Sequence, residues 1–207
     1  QTAAARPMTF LDMQQMKQVG APTPSPDGRW MLYTLSTPDW QAAERQTDLF
    51  LVSLTEGLTS TRQMTFTTSK NETSPAWASD NRTFFFLSNR EAPANGATQN
   101  QIYMMRPDGG EARRITDAKD GIVDYRLSPD GKTLVYRAGR AETRQLHRVP
   151  LPTIETAKAE QLTTQSAGVD TWDWAPDSRR IYFAAADRFT LQLSPNHDRL
   201  TGALFEV

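Results

Sequence analysis

Residues able to do covalent or metal chemistry are sparse in this sequence, and their spacing narrows the possibilities further. No Cys occurs among the 207 residues, which removes thiolate nucleophiles, disulfides and Cys-ligated zinc together. The two histidines are His147, inside an apolar run, and His197, in a loop-like stretch. A hydrolytic triad needs a His beside a Ser held on a sharp strand-to-helix turn, and no Gly-x-Ser-x-Gly occurs. Ser25 and Ser128 each precede Pro in a turn-forming phrase, which is a structural setting. No catalytic residue is therefore assigned. Asp117, Asp120 and Asp124 surround Gly121, but their spacing is not that of an EF-hand, and turn-forming Asp accounts for them. Neither a metal site nor a cofactor is expected.

Two groups remain that could bind rather than react. Arg137, Arg140, Arg144 and Arg148, with Glu142 among them, form a charged strand-loop-strand. A Glu there could anchor a peptide's amino terminus and an Arg could grip its carboxylate. Arg140, Glu142 and Arg144 are accordingly the candidate substrate-binding residues, weighed against a solvated hairpin tip, the plainer and favoured reading. Trp77, Trp172 and Trp174 could form a stacking platform, but beside recurring turns large side chains fill space between sheets, and packing is expected.

These residues sit in a repeat. Ser25-Pro26-Asp27-Gly28-Arg29 returns as Ala78-Ser79-Asp80-Asn81-Arg82, as Ser128-Pro129-Asp130-Gly131-Lys132 and as Ala175-Pro176-Asp177-Ser178-Arg179. The four Asp residues are 53, 50 and 47 positions apart. Pro sets φ for the first turn position, Asp bonds backbone two residues on, and Gly accepts the left-handed position, so each phrase predicts a tight hairpin. Asn81 suits that position, whereas Ser178 is strained there, which makes the fourth turn the least regular of the set. Each turn is followed by β-rich runs such as Trp30 to Leu35, Thr83 to Leu87, Leu134 to Arg137 and Arg180 to Ala184. A second run and a short third one ending in Thr65, Thr116 or Thr163, with the segment leading into each turn, such as Asp124 to Leu127 or Thr171 to Trp174, make four strands per repeat.

A period near 50 in an all-β sequence predicts β-propeller blades, four-stranded antiparallel sheets stacked in sequence. The expected boundaries are 21–70, 71–118, 119–166 and 167–207, the last blade incomplete after Ala203 to Val207. Ahead of them, residues 1–20 carry one short helix at about 9–18. Thr9 caps it, Asp12 answers the cap, Met8 and Met13 can staple it, and Gly20 is placed to end it in a left-handed conformation. Its apolar stripe is expected to pack on the adjoining domain.

With 23 Lys+Arg against 24 Asp+Glu the net charge is -1, so no overall field draws nucleic acid or an anionic membrane, and neither is expected as a partner. No run approaches the roughly 20 apolar residues of a spanning helix. The start Gln1 to Pro7, without an initiator Met, resembles the mature terminus of an exported protein, so a periplasmic or secreted location is expected.

Met8-Thr9-Phe10-Leu11-Asp12 followed by Ser25-Pro26-Asp27-Gly28-Arg29-Trp30 resembles the start of the propeller domain in the prolyl oligopeptidase family, with acylaminoacyl-peptidase and dipeptidyl-aminopeptidase-like members nearest. Thr37-Pro38-Asp39-Trp40 ahead of Gln46 to Phe50 adds to this, while the repeat itself is shared with TolB-type propellers. The resemblance implies a serine peptidase whose α/β-hydrolase domain follows the propeller, the propeller restricting access to peptides. This chain would then be a noncatalytic fragment that gates and positions peptide substrates for a hydrolase domain it lacks. The alternative is a TolB-like periplasmic scaffold that binds other proteins. A propeller lyase would need a His cluster, which two separate histidines do not supply. Open blade edges in an interrupted propeller are also expected to promote self-association.

Overall fold

The computed structural model describes residues 6–92, 99–154, 157–185 and 200–206, the last stretch as backbone only. His197 lies outside the described residues. One helix, α1 (Phe10–Gln14), precedes four sheets. The first contains β1 (Gln18–Pro24), β2 (Trp30–Asp39), β3 (Glu44–Ser53) and β4 (Gly57–Gln63). In the second are β5 (Glu72–Trp77), β6 (Phe84–Ser88), β7 (Gln101–Arg106) and β8 (Gly109–Arg114). The third comprises β9 (Ile122–Leu127), β10 (Thr133–Ala138), β11 (Gln145–Pro150) and β12 (Glu160–Gln161). A fourth is formed by β13 (Val169–Trp174), β14 (Arg180–Ala185) and β15 (Leu200–Glu206). Strands neighbour one another in chain order within each sheet, so each is an antiparallel meander of the kind that makes a propeller blade. By compactness the chain divides into units 1–75 and 76–207.

Helix α1 begins as expected and ends early. Asp12 N–H donates to Thr9 Oγ1 at 3.2 Å, and Thr9 N–H donates back to the Asp12 carboxylate at 2.8 Å, closing a capping box. The helix stops at Gln14, however, instead of about residue 18, and Gly20 does not end it. Residues from Gln18 onward join β1, where Val19 pairs with Leu35 and Gly20 with Thr34. A ladder against β2 satisfies more backbone groups there than another helical turn would. The apolar stripe does not pack either, since α1 buries none of its residues and Phe10 is 71% exposed. In the same unit, β2 and β3 pair without a break from Trp30↔Ser53 to Asp39↔Glu44, so Thr37 to Asp39 extend the hairpin beyond the run Trp30 to Leu35. Leu32, Leu49 and Leu51 are fully buried and Tyr33 stacks on Phe50 at 5.6 Å.

Within the second unit, β10 is buried on both faces, which accounts for its consecutive apolar residues Leu134, Val135 and Tyr136. Leu134 and Tyr136 pack with Phe85, Leu87 and Ile102 of the second sheet. Val135 packs on the other side with Trp172, Trp174, Ile181 and Phe183 of the fourth, and Leu146 of β11 joins it. Each such side chain contributes about 1.5–3 kcal/mol. Trp77, Trp172 and Trp174 are buried, so they pack instead of forming a platform.

The four recurring phrases are tight turns closed alike. Gly28, Asn81, Gly131 and Ser178 N–H groups donate to the carbonyls of Ser25, Ala78, Ser128 and Ala175 at 2.9, 3.3, 2.8 and 3.1 Å. All four carry positive φ, 71°, 57°, 70° and 59° respectively. The expectation of an irregular fourth turn is therefore corrected. Ser178 takes the left-handed conformation at a cost, and its Oγ accepts a hydrogen bond from Asp130 N–H of the preceding turn at 3.0 Å, which offsets part of it. Turns two and three also meet: a Cβ added at Gly131 would collide with the side chain of Ser79.

A second device recurs where the fourth strand of a sheet ends. Leu49, Ile102 and Leu146 N–H groups each donate at 2.9 Å to the hydroxyls of Thr65, Thr116 and Thr163. Those hydroxyls donate onward to Asp48, Gln101 and Gln145 at 3.2, 2.9 and 2.7 Å. A buried polar trio thus fastens the outer strand of three successive sheets, every member satisfied.

Candidate functional site

The meander topology places Arg137, Arg140, Glu142 and Arg144 at one end of the third sheet, with Arg148 further along β11. Strand β9 leaves the 115–121 connection, turns back at Ser128 to Thr133, and β10 returns to the loop 139–144 beside it. Gly139 N–H donates to Gly121 O at 3.3 Å, holding loop and connection together. The two border a cleft of about 500 Å³ lined by Asp117, Asp120, Tyr136, Thr143, Gln145 and His147 among others.

Tyr136 and His147 are paired across β10 and β11 and their rings stack at 5.2 Å and 11°. Burial depresses the His147 pKa below its ordinary 6.5 and raises that of Tyr136, so the imidazole is neutral at neutral pH. Gln145 is committed to structure: its amide donates to Gln165 O at 2.8 Å and accepts from Gln165 N–H at 3.0 Å.

The carboxylates around Gly121 do not converge. Asp117 pairs with Arg114, Asp120 with Arg140 at 3.2 Å, and Asp124 with Arg137 at 2.5 Å. Each answers a different guanidinium, which removes the calcium-loop arrangement. Among the described residues no group of three or more His, Cys, Asp or Glu could hold a metal ion, and no helix is long and apolar enough to cross a membrane.

The arginines separate as well. Arg140, at the loop tip, holds Asp120 across from it, and Glu142 is exposed nearby. Arg148 faces Glu160 across β11 and β12, with Nε to Oε2 at 2.8 Å. Arg137 is buried, its Nη2 donating to Asp124 and its Nη1 to Val169 O at 3.3 Å. Arg144 is half-buried, and its Nε, like that of Arg137, has no hydrogen-bond partner among the described residues. Arg140 and Glu142 thus lie exposed at the loop tip, while Arg137 and Arg148, opposite Leu146 and Val135, lie on the face of the third sheet that packs against the fourth.

Sequence reasoning did not find the role of Asp124 and Trp172. The Trp172 indole N–H donates to Asp124 Oδ1 at 2.7 Å, and Arg126 lies over the same ring at 5.4 Å while pairing with Asp173 at 2.5 Å. Those contacts clamp β9 to β13. The signal was present as Asp124-x-Arg126 and Trp172-Asp173 on strands leading into successive turns, but a partner 48 residues away is not visible in local spacing.

Four meandering sheets, each with an Asp-containing turn between its first two strands at a period near 50, define a β-propeller protein. Residues 11–195 match the TolB beta propeller domain, and the chain belongs to that family. Among curated proteins it is 28% identical over 214 residues to dipeptidyl-peptidase 5 of Porphyromonas endodontalis, the match taking in 100% of this chain and 28% of that protein. Among solved structures, the β-propeller domain of the Trilobed protease from Pyrococcus furiosus superposes with a TM-score of 0.62 at 13% identity, over 94% of this chain and 57% of the other. TolB from Acinetobacter baumannii gives 0.59 at 19% identity, over 92% and 43%. The chain therefore spans under a third of the dipeptidyl-peptidase it matches.

Proposed function

We propose that this chain is the propeller portion of an exported serine peptidase of the prolyl oligopeptidase type, which gates peptide entry and positions substrates for an α/β-hydrolase domain elsewhere in the same protein. The observation that carries this reading is the end-to-end similarity to dipeptidyl-peptidase 5, within which the aligned region is 28% of the length. The loop end of the third sheet, with its cleft and its charged rim, is the surface such a domain would use. On this reading the 207-residue chain alone leaves dipeptidyl and aminoacyl chromogenic substrates intact. A longer product of the same gene hydrolyses them and is blocked by a serine-directed inhibitor. Turnover by the pure chain, abolished by that inhibitor, would overturn the proposal.

The TolB family match and the likeness to the Acinetobacter protein support a second reading, a scaffold that binds other proteins. Sequencing the gene beyond Val207 separates the two. A downstream Gly-x-Ser-x-Gly with later Asp and His supports the peptidase, and an immediate stop supports the scaffold. Export is tested by cell fractionation, with recovery in the cytoplasm counting against it.

A further inference from the structure

We propose that Arg137 and Arg144 form a carboxylate-binding notch at the loop end of the seam between the third and fourth sheets. Register puts them together. Arg137 of β10 is opposite Leu146 of β11, and Arg144 immediately precedes the first residue of β11, so the two arginines are near neighbours at this end of the ladder. Arg137 shares the face on which Val135 and Leu146 pack against the fourth sheet, and the arginines close the apolar seam at its loop end.

The backbone of the fourth sheet's first strand fixes both. Val169 O accepts from Arg137 Nη1 at 3.3 Å, and Val169 N–H donates to Arg144 O at 2.7 Å. Gly168, at φ 75°, permits this approach, since a Cβ there would lie 2.9 Å from Arg144 N and 3.2 Å from Arg144 O. Val169 thus holds the Arg137 guanidinium and the Arg144 backbone side by side.

Its charge is unbalanced. Asp124 compensates Arg137 alone, and its two oxygens are taken by Arg137 Nη2 and Trp172 Nε1. The nearby carboxylate of Asp120 serves Arg140. The Arg144 side chain has no ion-pair or hydrogen-bond partner among the described residues, and the Nε of each arginine is buried without one. Guanidinium N–H groups withdrawn from water and left unpaired are destabilising, and a planar carboxylate is the group whose two oxygens match the fork. A peptide can supply one from its C-terminus or from an Asp or Glu side chain. This inference concerns the chain's own ligand chemistry and stands or falls apart from the peptidase reading.

The test is a titration of the ¹⁵N-labelled 207-residue chain with three probes, N-acetyl-trialanine, its C-terminal amide, and N-acetyl-Ala-Glu-Ala-amide. Arginine Nε–H resonances and calorimetric affinity are the readouts. At least one carboxylate probe should bind and shift two Nε–H signals, while the neutral amide should not. Trialanine alone assigns a C-terminal carboxylate, the Glu peptide alone a side-chain carboxylate, and both together a site indifferent to origin. Arg144→Gln should weaken binding at least about tenfold, and Arg144→Lys less. The proposal is overturned if no carboxylate probe binds better than the amide, if inorganic phosphate binds as tightly as the carboxylates, or if folded Arg144→Gln binds unchanged. Should that variant not fold, the comparison of carboxylate with amide on the parent chain still decides.

Discussion

Ser178 is the residue at which local strain and a neighbour's need meet. Its φ of 59° is costly for a side chain, yet its hydroxyl accepts from Asp130 N–H. Ser178→Ala keeps the strain and loses the acceptor, so chemical denaturation should give a loss of about 1 kcal/mol. Ser178→Gly loses the acceptor but relieves the strain and should lose less, and equal losses would sink this account. Gly131→Ala should be the more damaging of the turn changes, about 1–3 kcal/mol, because it adds positive-φ strain to a collision with Ser79. His147 gives a pH signature. Burial lowers its pKa below 6.5 in the folded chain, so below 6.5 the unfolded chain binds more protons and stability falls as pH drops. His147→Phe should flatten stability against pH between about 5 and 6.5, read by urea unfolding at stepped pH, and an unaltered slope would refute it.

Among the elements, the polar trio at the end of each fourth strand carries the clearest expectation. Thr116→Val removes the acceptor of Ile102 N–H and the donor to Gln101, leaving a buried amide unpaired at about 1–3 kcal/mol. Protection of the Ile102 amide against hydrogen exchange should fall with it, and preserved protection would contradict the role assigned to Thr116. The blades were legible in the sequence because turn chemistry is local: Pro, Asp and a residue tolerant of positive φ within four positions specify a hairpin wherever they recur. The trio was half visible, as a Thr closing Gln63-Met64-Thr65, Arg114-Ile115-Thr116 and Gln161-Leu162-Thr163, but its partner lies 15 to 18 residues back. The end of α1 was misread for a related reason. Helical spacing in Met13 to Val19 is a local property, whereas the pairing of Gln18 with Ser36 that ends it is not. At the candidate site the sequence grouped five charged residues, and only the register of β10 on β11, which puts Arg137 opposite Leu146 and Arg148 opposite Val135, separates the arginines on the seam face from those of the loop tip.

For the whole chain, we propose that open sheet faces and edges drive association. On the fourth sheet a surface hollow of about 380 Å³ is lined by Thr171, Asp173, Tyr182 and Ala184, among others, and Tyr182 is 46% exposed. Light scattering of the purified chain should find species above the monomer mass, rising with concentration, and a monodisperse monomer would count against this. The contacts between successive turns have a separate consequence, for descent. Copies made by duplication begin interchangeable, but here Ser79 has come to occupy the space that a Gly at position 131 leaves, and Ser178 serves the amide of Asp130. Each copy has become specific to its place in the series. Recombination that exchanged the third and fourth repeats would therefore set Ser178 against Ser79 and remove the hydroxyl from its amide, so the lineage can lengthen or diverge by whole repeats more readily than it can shuffle them.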